Sequence, residues 1–119
     1  MSNRLVRINE LVQRELSAYL RKHYQTEAAT ITLSGVDVAQ DLKTGKVYVA
    51  VFGNPEQREE RLRWLRSKAG ELRQHVGAHI VLKWTPEFTY IEDATPERAA
   101  RVLKIIDEIE KGSAQPPNL

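Results

Sequence analysis

Arg58 to Val76 reads REERLRWLRSKAGELRQHV, and its pattern decides how the rest of the chain must fold. Leu62, Leu65, Ala69, Leu72 and Val76 recur at three- and four-residue steps, which places them along one side of a helix. Arg58, Arg61, Arg63, Arg66, Lys68 and Arg73 crowd the remainder of its surface. On a regular helix Arg63 points farthest from the apolar stripe, Arg61, Arg66, Lys68 and Arg73 flank it, and Arg58 falls in line with it. Gly70 sits in the middle, at a cost of about 1 kcal/mol against alanine in a helix interior. The stretch therefore predicts a long amphipathic helix with a basic collar and a bend at Ala69-Gly70.

Working outward, Asn54-Pro55-Glu56-Gln57 supplies the start of this helix. Asn54 can cap, Pro55 suits the first helical position, and Gln57 can reach back to complete a capping box. Gly77 is well placed to end it. Upstream, Lys46 to Phe52 alternates as a strand, with Val47, Val49 and Val51 on one face and Tyr48, Ala50 and Phe52 on the other. Ala29 to Ala39 reads as its hairpin partner. Ile31 and Leu33 are out of phase with Val36 and Val38, so a bulge at Gly35 is needed to bring all four to one side. Gln40 to Gly45 is the hairpin connection, with Gly45 as its glycine. The N-terminal helix carries Leu5, Ile8, Val12, Leu16 and Tyr19 as its stripe, widened by Leu11 and Leu20, and should end near His23.

Downstream, His79 to Ile91 reads as a third strand with Ile80, Leu82, Trp84, Phe88 and Tyr90 on its core face. Pro86 places that strand at an edge or breaks it. Thr95-Pro96-Glu97 opens a last helix, with Ala99, Val102, Leu103, Ile106 and Ile109 as its buried stripe. Residues 1–111 form one domain, and Gly112 to Leu119 is expected to be a mobile tail. The order is α-β-β-α(kinked)-β-α. It implies an α+β fold, a three-stranded mixed sheet with helices on one face. The crossover is expected to bring the third strand back parallel to the first, if the two pair.

Composition bounds the function. The chain of 119 residues is 41% hydrophobic, carries a formal net charge of +2 and contains no cysteine. It therefore has neither disulfides nor thiolate metal sites, and with no apolar run near the roughly 18 residues that span a bilayer, the cytosol is favoured. Met1 to Lys83 holds 14 Lys and Arg against 9 Asp and Glu, while the remainder holds 4 against 7. A basic body with an acidic end suits a polyanionic partner approached from one side.

Signatures of catalysis are poor. Walker-type and dinucleotide glycine patterns are absent. Ser34-Gly35 lacks the surroundings of a nucleophile elbow. Glu92-Asp93 is read as a solvated pair before a capped helix rather than as acid–base machinery. His75 and His79 are four apart, but Gly77 between them is expected to break the helix, so no metal site is assigned. No cofactor and no catalytic residue are expected.

The order with a basic bent helix at its centre resembles a type II KH domain, an RNA-binding fold. Its usual G-x-x-G loop is missing, since no two glycines here stand three apart. That departure is similar to the ribosome-binding factor A family. Arg7 to Leu16, Ile31 to Val38, Lys46 to Val49, Ala69 to Arg73, Thr85 to Phe88 and Glu97 to Val102 carry the resemblance in the family's order. The family replaces the KH loop with a helix-kink-helix built on A-x-G. Aligning on Gly70 puts Lys68 where the first alanine should be. The resemblance implies a non-catalytic, cytoplasmic, monomeric assembly factor. It would bind the immature 30S subunit and its 16S ribosomal RNA near the 5′-terminal helix region, and assist late processing, including at low temperature. A ribosome-associated GTPase would help its release, and no membrane is involved.

Under this reading Arg58, Arg61, Arg63, Arg66, Lys68 and Arg73 meet phosphates, with Arg4, Arg7, Lys43 and Lys46 extending the surface. Against it stands a solvated face in which Glu59, Glu60 and Glu71 pair with the arginines. Trp64 either stacks on a base or packs against a neighbouring helix, packing being favoured, and Trp84 is assigned to the core. Gly70 serves either close approach of RNA or close packing of helices. The alternative function is a protein–protein module that docks an acidic partner on the basic helix.

Overall fold

The computed structural model describes residues 3–93. The last helix and the tail expected from the sequence, with the domain boundary at 111, lie outside the described residues.

Helix α1 (Asn3–His23) buries Ile8, Val12, Leu16 and Leu20, the stripe its periodicity marks out. Each such side chain withdrawn from water contributes about 1.5–3 kcal/mol before chain entropy is charged. The helix ends at His23 as expected, but a further turn, α2 (Gln25–Ala28), follows where only a connection was anticipated. Strands β1 (Ile31–Val38) and β2 (Thr44–Val51) pair antiparallel, and their register shifts between Leu33 and Gly35. The bulge has the predicted effect: Leu33 and Val38 are both buried, with Ile31 and Val36 half-buried beside them. Two side chains of α1 fix it to β1. Gln13 Nε2 donates to the Leu33 carbonyl (2.8 Å), and Asn9 Oδ1 accepts from the Val38 amide (2.9 Å).

The hairpin connection lies where the sequence puts it, and its left-handed residue is Leu42, at φ 63°. A left-handed conformation costs a leucine roughly 1–2 kcal/mol. Burial of the Leu42 side chain offsets that, at 8% exposure. Gly45 lies inside β2, where an added Cβ would sit 3.1 Å from two ring carbons of Phe88. It is a glycine because an aromatic ring occupies the space.

The bent helix is two helices, α3 (Pro55–Ser67) and α4 (Ala69–His79). Then comes β3 (Glu87–Glu92), which pairs parallel to β2 with Gly45 opposite Phe88 and Val47 opposite Tyr90. The sheet order is β1-β2-β3. The third strand is thus parallel to the second strand and not to the first. The helical crossover carries the chain from the end of β2 back to the side of the sheet where β2 began, so the new strand runs in the same direction as β2.

The third strand is also shorter than its alternation suggested. It starts only after Pro86, while α4 continues through Gly77 to His79. Residues 80–86 therefore have no ladder to hold their alternation. Trp84, assigned to the core, is 49% exposed, and Val81 is fully exposed. Ile80 is buried, but as the residue capping α4.

The buried face of the sheet carries Val47, Val49, Val51, Phe88 and Tyr90, which join the stripes of α1, α3 and α4 in one core. Among the described residues the opposite face shows Thr32, Ser34, Lys46 and Thr89 to solvent. This is the predicted α+β architecture.

Candidate nucleic-acid interface

The start of α3 is built as its sequence implies. Asn54 Oδ1 accepts from the Gln57 amide at 2.8 Å, and Gln57 Oε1 accepts from the Asn54 amide at 2.9 Å. Pro55 takes the first helical position, where its missing N–H goes unneeded. Gly53 precedes the cap at φ 138°, a conformation suited to glycine.

The break falls on Lys68, with φ −97° and ψ 5°, and Ala69 and Gly70 open the first turn of α4. The Lys68 amide donates to Leu65 O at 2.9 Å, a tightened last turn, and Lys68 O accepts from Leu72 N at 2.9 Å. Gly70 is exposed, and a Cβ added there would meet nothing within 4 Å among the described residues. Close packing of the described helices therefore does not require it.

What holds the kink is a polar-aromatic cluster that sequence reading missed. Tyr19, near the end of α1, and Tyr24, between α1 and α2, donate their hydroxyls to the Glu71 carboxylate. The hydrogen bond from Tyr19, then that from Tyr24, holds the Glu71 carboxyl below the usual carboxylate range. Accepting by Glu71 pushes the Tyr19 hydroxyl up to about 12. The Lys68 ammonium lies over the Tyr24 ring (5.0 Å to its centroid) and near the Trp64 ring (5.9 Å). Trp64 meets Tyr24 edge to face at 5.1 Å, so it packs rather than points freely outward. The only hint in the sequence is that Tyr19 lies on the α1 stripe.

The basic residues divide by what they already touch. Arg58 Nε pairs with Glu92 at 3.0 Å and its Nη1 donates to Gly53 O. Arg66 donates through Nε and Nη2 to the Tyr90 carbonyl, and Arg73 through the same two nitrogens to that of Thr85. These three arginines tie α3 and α4 to β3 and the segment before it. Arg66 and Arg73 each commit two nitrogens of a guanidinium that carries five N–H donors. Arg61 lies over Trp64, 5.6 Å from the ring centroid. Arg63 has 69% of its side chain exposed and, among the described residues, faces Glu59, at 3.6 Å, one turn away. That pair is the one expected from the solvated reading of the face, and an exposed pair of this kind contributes little. Glu71 is taken by the tyrosines instead.

Of the outlying candidates, Arg4, Arg7 and Lys46 are exposed. Lys43 sits over the exposed Trp84 ring at 5.4 Å, a basic-aromatic pair at the foot of β2 and β3. Glu92 and Asp93 are both engaged: Glu92 with Arg58, Asp93 accepting from Ser34 Oγ at 2.9 Å. The histidines also depart from expectation. Because α4 runs through Gly77, His75 and His79 stay on one helix face with ring centroids 4.0 Å apart.

A family model described as ribosome-binding factor A matches residues 4–106. The chain belongs to the ribosome-binding factor A family. It is 51% identical over 117 residues to the Opitutus terrae ribosome-binding factor A, covering 98% of this chain and 96% of that one. The Gloeobacter violaceus ribosome-binding factor A is 35% identical over 112 residues, covering 91% and 87%. The solution NMR structure of a Thermotoga maritima protein, a candidate ribosome-binding factor A, superposes with a TM-score of 0.70 at 25% identity, covering 78% of this chain and 90% of that one. The crystal structure of ribosome-binding factor A from Thermus thermophilus has the same fold, with a TM-score of 0.65 at 17% identity, covering 74% and 94%. A homology model of that Thermus factor, fitted into a cryo-EM map of a 30S complex with it, gives a TM-score of 0.58 at 17% identity, covering 72% and 91%. The helix-kink-helix of the family is here the α3–Lys68–α4 unit, with a lysine at its break. No helix among the described residues is long and apolar enough to cross a membrane.

Proposed function

We propose that this chain is a non-catalytic, cytoplasmic assembly factor that binds the immature 30S subunit through its 16S ribosomal RNA, in the 5′-terminal helix region. It assists late processing and maturation of that RNA, including at low temperature, acts as a monomer, and leaves with the help of a ribosome-associated GTPase. The observation that carries this reading is membership of the family across residues 4–106, together with a basic helix-kink-helix left open to solvent. A 30S complex is known for the Thermus factor, and this chain has the fold to occupy the same place.

The binding surface is the outer side of α3 and α4. Arg58, Arg61, Arg63, Arg66, Lys68 and Arg73 meet phosphates, with Arg4, Arg7, Lys43 and Lys46 extending the contact. The cluster around Glu71 fixes the angle between the two helices, so their cations are presented at set positions. A rigid basic surface of this kind grips one RNA arrangement more tightly than another. Differential affinity is all that is needed to shift the RNA between immature and mature forms.

The test is gradient sedimentation of the tagged protein in lysate, with and without ribonuclease. Co-migration with free 30S particles, depleted from full ribosomes and abolished by nuclease, is the expected result. Replacing Arg7, Lys46 and Arg63 together by alanine removes exposed cations without touching those that tether the helices. The variant should stay folded and lower the slope of log affinity against log salt by about 0.7–0.9 for each phosphate it no longer neutralises. Folded protein that stays at the top of the gradient at low salt would refute the reading. Nuclease-resistant co-migration would point instead to an acidic protein partner.

A further inference from the structure

The continuation of α4 past Gly77 brings together three groups that the ribosomal reading does not use. His75 and His79 lie one turn apart on α4, and Glu15 approaches from α1. Glu15 Oε1 is 3.0 Å from His75 Nε2, with side-chain exposures of 31% and 14%. One ligand atom from each of Glu15, His75 and His79 lies within 4.8 Å of the others, the one such group among the described residues.

We propose that Glu15, His75 and His79 bind a divalent transition-metal ion, Zn2+ being the representative case. Two imidazole nitrogens and one carboxylate oxygen are a borderline donor set, suited to Zn2+, Ni2+ or Cu2+ and unsuited to Ca2+ or Mg2+, which take oxygen ligands. The geometry is close to what such an ion needs. With Zn–N and Zn–O bonds of about 2.0–2.2 Å, neighbouring ligand atoms in a tetrahedron stand about 3.3 Å apart. The Glu15–His75 pair, at 3.0 Å, comes close to that spacing. His79 is exposed, and its ligand atom already lies within 4.8 Å of both others.

The tautomer of His79 is set as well. Its Nδ1 lies 2.9 Å from the His75 carbonyl oxygen, which can only accept. Nδ1 therefore carries the proton of the neutral ring, and Nε2 keeps its lone pair for a metal. Metal-binding histidines are commonly oriented by such a bond on the second nitrogen. The Tyr19 ring packs against His75 at 4.6 Å, which holds that imidazole in place. Three protein ligands leave room for water on the ion. Because Glu15 belongs to α1 and the histidines to α4, the ion cross-links the two helices next to the kink. It binds the folded state and not the unfolded one, so it raises stability. This site goes beyond the ribosomal reading and does not depend on it.

The experiment is calorimetric titration of the untagged full chain with ZnCl2, in a buffer that does not chelate. A saturable one-to-one isotherm is expected. His79→Ala, which removes an exposed side chain, should weaken binding at least tenfold, and Glu15→Gln should weaken it while keeping the hydrogen bond to His75. His23→Ala should leave it unchanged, because His23 is outside the cluster. At about ten times the dissociation constant, Zn2+ should raise the Tm of the parent protein by about 5 °C or more and leave that of His79→Ala in place. No saturable heat with the parent chain, or equal affinity in parent and His79→Ala, overturns the proposal.

Discussion

Replacing Gly70 by alanine should make this protein more stable, although Gly70 stands two residues past the break between α3 and α4. The residue is exposed, it lies in the first turn of α4, and its φ is not positive. Among the described residues an added Cβ would meet nothing within 4 Å. The change therefore adds no clash and removes the entropy that a glycine loses on entering a helix, a gain of about 0.5–1 kcal/mol. For a domain of this size that is a rise in Tm of roughly 2–6 °C. Gly45→Ala is the control, because it is the same chemical change against a Phe88 ring at 3.1 Å. It should cost about 1–3 kcal/mol and lower Tm. Thermal unfolding followed by circular dichroism reads both. A Tm for Gly70→Ala at or below that of the parent would refute the reasoning, since the kink would then need more than the open space described. Sedimentation of the same variant asks a separate question. If RNA approaches the backbone at Gly70, the stabilised protein binds 30S particles less well than its parent.

Two further perturbations test the interior. The Tyr90 hydroxyl is buried without a hydrogen-bond partner among the described residues, and that burial pushes its pKa up. Tyr90→Phe should accordingly raise stability by about 1 kcal/mol, read by urea denaturation at constant m, and a loss of that size would mean the hydroxyl is satisfied. The Glu71 cluster gives a pH signature. Glu71 is held below its ordinary value of 4.5, so its contribution is complete above pH 4.5 and fades as pH falls through the lowered value. Tyr19 is raised from 10.0 to about 12, so its contribution is present below pH 10 and is lost as pH rises towards 12. The stability difference between parent and Tyr19→Phe/Tyr24→Phe should thus be greatest between these limits and shrink on both sides; a difference independent of pH would exclude the carboxylate as the acceptor.

The sequence is legible wherever one local rule acts alone. The α1 stripe, the Gly35 bulge, the Asn54 capping box and the alternation of β2 were each read from spacing, and each stands in the structure. Failures come where two rules compete. Gly77 looked like a helix end, but α4 continues for two residues beyond it, and the Ile80 amide donates to Val76 O at 2.9 Å. That single misreading shifted the start of the third strand, put Trp84 in the core and separated His75 from His79. The hairpin was legible as a polar connection, but nothing local says that Leu42 takes the left-handed position or that Gly45 faces the Phe88 ring, since both depend on the assembled core. The arginines were legible as a cluster but not in their employment. Nothing local says that Arg58, Arg66 and Arg73 reach β3 and the segment before it, since those contacts depend on where the crossover lands.

That landing also sets the sequence of events as the chain folds. β1 and β2 are joined by a short hairpin, but β2 ends at Val51 and β3 begins at Glu87, so the second pairing must close a far longer loop. Loop-closure entropy makes that pairing costlier by about 1.7 kcal/mol, on the (3/2)RT ln n scaling with loops of about 5 and 35 residues. The hairpin therefore has a head start, and for a time β2 offers its unpaired edge, with Val47 and Val49 beside it, to any other extended segment. The long helical unit is then more than a display surface. Until α3 and α4 have folded and returned the chain to the right end of β2, the sheet is incomplete and vulnerable to pairing with a second copy.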